Sequence, residues 1–191
     1  MKNFLQKTKT FLVKHKDLFV AGAIALAVIA AIGLLIAQFV RTSVPELVYQ
    51  PSTACGLLSK EEAAELFGGK AVTGSVDSPV VSGRTNNATS KCSYTDGNPN
   101  QDEMIVAAVI VRSAINDKGI VSNNAEFTAG VPATNVETVK DIGDRAYFDK
   151  TRGQLNVLKD RNWIVISYGI GSAPELNSTE DAIKTAEKIL N

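Results

Sequence analysis

The sequence predicts an α+β fold: a mostly antiparallel sheet flanked by helices, preceded by one transmembrane helix. Three observations lead there. Residues 18–40 carry no charged side chain. The stretch 145–170 reads as consecutive strands joined by short turn-like connections, and amphipathic helical patterns stand at both ends of the region after the apolar run. Taken in order, the chain divides into a basic tail (1–17), a signal-anchor helix (18–40), a linker (41–53) and an extracytoplasmic α+β domain (54–191).

The apolar run is 23 residues long, which at helical rise makes about 34 Å. A bilayer core is about 30 Å thick, so the run is long enough to span with modest tilt. Lys2, Lys7, Lys9, Lys14 and Lys16 precede it against Asp17 alone, while a single Arg41 follows. Lysine-rich flanks stay in the cytoplasm, so the N-terminus is expected inside and the C-terminal domain outside. A cleaved signal peptide has a shorter apolar region and a small-residue cleavage site, which the exit 35–41 lacks. Ala23, Ala27 and Ala31, continued by Gly33 and Ala37, form a small-residue face. Such a face allows a weak dimer through the span, although an alanine-rich anchor with no partner is the simpler explanation.

The zero net charge hides an asymmetry: residues 1–41 sum to +5 and residues 42–191 to −5. An acidic exterior domain repels phosphate backbones, so no nucleic-acid partner is expected. The expected partners are the lipid bilayer, through 18–40, and an envelope component or partner protein whose identity the sequence leaves open. Both cysteines, Cys55 and Cys92, fall on the outer side, where an even count reads as one disulfide. Closing that loop stabilises by about 4 kcal/mol in the chain-entropy model.

Within the domain, Ser59 followed by Glu62 is a capping box, with Ala63, Leu66 and Phe67 as the inward stripe and Gly68-Gly69 as the stop. Residues 77–90, rich in Ser, Asn, Gly and Thr, read as a long loop, with Arg84, Asn86 and Asn87 as possible ligand-facing residues. A strand is expected over 91–95 and a turn over 96–100. Residues 103–112 are apolar on both faces, which suits a strand at the centre of a covered sheet. A weakly helical stretch, 113–127, precedes strands over 145–149, 154–159 and 163–170. The cap around Asn177-Ser178-Thr179 opens a last helix with Ala182, Ile183, Ala186 and Ile189 on one face.

The run C-G-L-L-S-K-E-E-A-A-E-L-F-G from Cys55, then Cys92-Ser93-Tyr94, then V-K-D-I-G-D-R-A-Y-F ending at Phe148, carries a resemblance. It is similar to small actinobacterial-type envelope lipoprotein domains of unknown function, and to extracellular sensor domains of some receptor kinases. The resemblance covers roughly residues 54–170. It implies paired cysteines, a surface binding or sensing role, and no catalytic residue to carry over. This chain departs from it in having an apolar helix where those domains carry a lipid, and in lacking a kinase domain.

The candidate chemistry is thin. His15, in the basic tail, is the only histidine, so the exterior domain is without imidazole for triads or metal sites. No catalytic residue, cofactor or metal is therefore expected. Two carboxylate pairs, Asp141 with Asp144 and Glu61 with Glu65, keep open a histidine-free glycan hydrolase. A turn and a solvated helix face are their simpler explanations. Asp96, Asn98, Asn100 and Asp102 faintly follow a calcium loop, but Gln101 replaces its glycine and Ala107 its glutamate. Trp163 and Tyr168 offer aromatic faces for a sugar or belong to the core. A pilin-like subunit also begins with an apolar helix, yet its processing site is missing here. The expectation is a single-pass, membrane-anchored binding or sensing module of a bacterial envelope, not an enzyme.

Overall fold

The computed structural model describes residues 47–190, apart from 71, 132 and 133. The expected basic tail and membrane span lie outside the described residues. Among those described, no helix is long and apolar enough to cross a membrane.

A sheet of eight antiparallel strands runs through the domain. Its strands are β1 (Thr73–Val76), β2 (Val80–Ser82), β3 (Asn87–Thr95), β4 (Ile105–Ala114), β5 (Val136–Val139), β6 (Arg145–Asp149), β7 (Gln154–Lys159) and β8 (Asn162–Ile170). The order is β1-β3-β4-β8-β7-β6-β5, with β2 paired to β3 beyond the end of β1. The last four strands form a meander joined by short turns, and β8 closes it against β4 in register Val109↔Ile166. The sheet is mostly antiparallel and flanked by helices, as expected for an α+β domain.

Helices lie on both faces. On the first, α1 (Ala54–Leu57), α2 (Lys60–Leu66) and α4 (Thr179–Leu190) cover alternate residues of the central strands. Leu58, Ala63, Phe67, Ala182, Ala186 and Ile189 meet Val109, Val111, Leu155, Val157, Ile164 and Ile166 there. On the second face, α3 (Asp117–Gly130) sets Phe127 against Tyr147, Leu158 and Trp163. Strand β4 is apolar on both sides, but only one is sealed: Val109 and Val111 are buried, whereas Val106, Ala108 and Ile110 are half-buried. Helix α3 lies against β4, β7 and β8, and its Asn124, Phe127 and Thr128 side chains reach Arg145 and Tyr147 in β6.

Local signals explain the helix starts. Ser59 accepts from the Glu62 amide and Glu62 accepts from the Ser59 amide, at 3.1 and 2.7 Å, completing the capping box of α2. The Ser178 hydroxyl oxygen accepts from the Asp181 amide at 3.0 Å and caps α4 one residue after Asn177. Asn116 caps α3 through the Gly119 amide. A disulfide joins Cys55 in α1 to Cys92 in β3, with Cα atoms 5.1 Å apart. It ties the first helix to the sheet.

Strands β1 and β5 stand where no strand was expected, and two further segments differ from expectation. Within the expected loop 77–90 stands β2, and residues 83–86 form a tight turn back into β3. The described part of the expected linker, 47–53, lies on the domain: the Val48 and Tyr49 amides both donate to the Ile115 carbonyl, at 2.8 and 3.0 Å. Tyr49 donates its hydroxyl to Asp117 at 2.5 Å, with the Arg161 guanidinium 4.4 Å from its ring centre. The Asp117 carboxylate accepting that bond pushes the Tyr49 hydroxyl above its ordinary pKa.

Candidate functional site

The residues singled out in 77–90 have separate surroundings. Arg84 is exposed, Asn86 half-buried and Asn87 buried at 1% exposure. Asn86 adopts φ 54°, a conformation asparagine tolerates, and its carbonyl accepts from the Ile115 amide at 3.1 Å. Its side-chain oxygen accepts from Asn116 Nδ2, so this turn is seated on the start of α3. Asn87 Nδ2 donates to the Thr85 carbonyl, while its Oδ1 has no partner.

The aromatic candidates separate to opposite faces. Trp163 packs beside Phe127 and donates Nε1–H to Asn156 Oδ1 at 3.1 Å. Tyr168 lies on the other face, stacked near Phe67, and donates its hydroxyl to the Leu66 carbonyl at 2.9 Å. Burial pushes the Tyr168 hydroxyl above its ordinary pKa. The polar run from Asp96 to Asp102 closes on itself: Asp96 accepts from Asn98, Asn98 from Asn100 and Asn100 from Asp102, each through a backbone amide. These carbonyl and carboxylate oxygens hold a loop. Among the described residues no group of three or more acidic, Cys or His side chains is placed to hold a metal.

Two cavities stand out among the described residues. The first, about 440 Å³, opens between α2, β8 and α4, with Tyr168 and Leu66 at its floor and charged side chains around it. Much of that rim is internally satisfied: Lys188 pairs with Glu65, and Asp181 accepts from the Ser178 hydroxyl. Glu61 does not line it, so Glu61 and Glu65 do not share this cavity.

The second cavity, about 430 Å³, lies between the end of α3 and the loop joining β5 to β6. Val131, which is exposed, and the buried Phe127, Val139, Ile142 and Ala146 give it apolar walls. Around them stand Lys140, Asp141, Asp144 and Arg145, so this carboxylate pair does share one cavity. The loop is held firmly. The Asp144 amide donates to the Leu158 carbonyl at 2.7 Å, and Asp144 Oδ2 accepts from the Asp160 amide at 2.8 Å. Gly143 sits at φ 59°, where a Cβ would lie 2.5 Å from the Leu158 carbonyl oxygen. Only glycine allows that approach.

Arg145 leans back onto α3. Its Nη2 donates to Asn124 Oδ1 and Thr128 Oγ1, at 3.1 and 3.3 Å, and its guanidinium lies 5.1 Å from the Phe127 ring centre. All three are neutral groups on one helix. Sequence reasoning singled out Asp141 and Asp144 but missed Lys140, Arg145 and Phe127. Phe127 approaches this loop only through the crossover between β4 and β5, which leaves no local signal.

Comparison with protein-family models, curated proteins and solved structures finds no match for this chain.

Proposed function

We propose that the chain is a single-pass, membrane-anchored extracytoplasmic binding or sensing module of a bacterial envelope, and not an enzyme. The observation that carries this reading is the Cys55–Cys92 disulfide in a domain that follows a 23-residue uncharged run. Disulfides of this kind persist in oxidising compartments, and the lysines before the run orient it. The resemblance to envelope lipoprotein and sensor domains agrees, and it rests on the motifs quoted above. Binding is supported by two open cavities with mixed charge and apolar walls, in the size range of small-molecule sites.

Protease shaving of intact cells or spheroplasts tests the topology. The domain is expected to be cut away from a membrane-retained N-terminal fragment. Full protection until the membrane is permeabilised would refute it. A glycan hydrolase is the second reading, favoured by the shared cavity of Asp141 and Asp144. Asp144 is committed to the Asp160 amide, which suits a turn better than a proton-transferring acid.

A further inference from the structure

We propose that the cavity between α3 and the β5–β6 loop binds a free apolar amino acid or short apolar peptide as its zwitterion. Arg145 takes the carboxylate, Asp141 the ammonium, and the wall at Val131 and Ile142 the apolar side chain. The proposal rests on the binding reading above and names its ligand class.

Charge is the first argument. The two cavities differ in whether their charges are already used. Around the first, Lys188 and Glu65 neutralise one another. Around the second, Lys140, Asp141 and Arg145 form no ion pair among the described residues, while Asp144 is occupied by the Asp160 amide. Two cationic and two anionic side chains surround an apolar floor, with no net charge. A simple anion or cation would meet a like charge there. A ligand carrying both charges meets a partner for each.

Orientation is the second argument. Arg145 spends Nη2 on two neutral oxygens of α3 and keeps Nε and Nη1 free of hydrogen bonds to described residues. A guanidinium braced in this way still has Nη1 and Nε N–H groups to donate singly, as charge-assisted hydrogen bonds, to a carboxylate. Asp141 is held at φ 63° in a loop anchored through Gly143 and Asp144, so little ordering is left for binding to supply. The volume, about 430 Å³, falls within the usual range for small ligands.

The test is titration calorimetry on the full chain in nanodiscs, with L-leucine and L-leucyl-L-leucine as probes. Saturable binding is expected, and the better of the two probes tells free amino acid from peptide. The N-acetylated and C-amidated forms of that probe should each bind at least tenfold more weakly. Arg145→Gln should lose at least tenfold and no longer distinguish the amidated form. Asp141→Asn should lose at least tenfold and no longer distinguish the acetylated form. Asparagine accepts the left-handed backbone at 141, so this variant keeps the loop. Thr138→Trp, at an exposed lining position, should block the cavity. No heat with either probe, equal affinity for the capped forms, or indifference to Arg145→Gln would each overturn the proposal. A chain that fractionates as soluble refutes the membrane reading alone, and the same titration then runs in plain buffer.

Discussion

Phe127→Ala should separate α3 from the sheet more than any other single truncation on that face. Phe127 is 1% exposed, 4.8 Å from the Tyr147 ring centre and 6.4 Å edge-on to Trp163. The other buried residues of α3 are Gly119 and Asn123 and Ile120 is half-buried, so this ring is the large apolar side chain that the 14-residue helix buries fully. Removing a buried phenylalanine costs about 3–5 kcal/mol, the two aromatic contacts included. Domains of this size hold roughly 5–15 kcal/mol, and each kcal/mol moves Tm by about 2–4 °C, so a fall of about 6–20 °C is expected. Trp163 is the only tryptophan and lies in the same cluster, so its emission reports the event directly in a urea titration. The variant should also weaken ligand binding, because Arg145 loses the ring beneath it. A stability loss under about 1 kcal/mol, with Trp163 emission unchanged, would refute the claim that this ring holds the helix.

Other outcomes follow from the same contacts. Gly119→Ala, ordinarily worth up to about 1 kcal/mol in a helix, should here destabilise by about 1–3 kcal/mol. Its Cβ would lie 2.1 Å from the Asn86 carbonyl oxygen, and thermal melting gives the sign. Ser59→Ala removes the cap of α2 and should cost about 0.5–2 kcal/mol in urea. The Asp96 carboxyl has a buried side chain; desolvation opposes its charge, but the Asn98 and Ile105 amides and Lys70 outweigh it and hold its pKa below the ordinary value. Its contribution is therefore complete above the unfolded pKa of about 3.9 and lost as pH falls through the folded value. Acid titration of Asp96→Asn should give a flatter stability profile below about pH 4 than the parent chain.

The parts legible in the sequence were those with a local cause. The capping box at Ser59 and Glu62, the turn-like connections on either side of β7 and the cysteine pair each carry their reason within a few residues or in a count. Strands β1, β2 and β5 have none. Their residues are exposed almost throughout, and the Gly, Ser, Asp and Pro among residues 73–82 resemble a loop. They are strands because β3 and β6 offer them an edge. Helix α3 was only weakly visible for the same kind of reason, since a lone phenylalanine makes no stripe. At the cavity, Asp141 and Asp144 stood out as charges near a glycine. Arg145 gained meaning only when α3 crossed the sheet and placed Asn124, Thr128 and Phe127 beside it.

Intact mass of the chain from carbonate-washed membranes of its own host, with free thiols alkylated before lysis, tests the central claim most directly. The account predicts a membrane-retained chain with residues 1–40 still attached, two hydrogens short of the reduced mass and carrying no alkyl group. A chain released by carbonate, or one doubly alkylated at Cys55 and Cys92, would contradict an extracytoplasmic domain held at the membrane and closed by a disulfide.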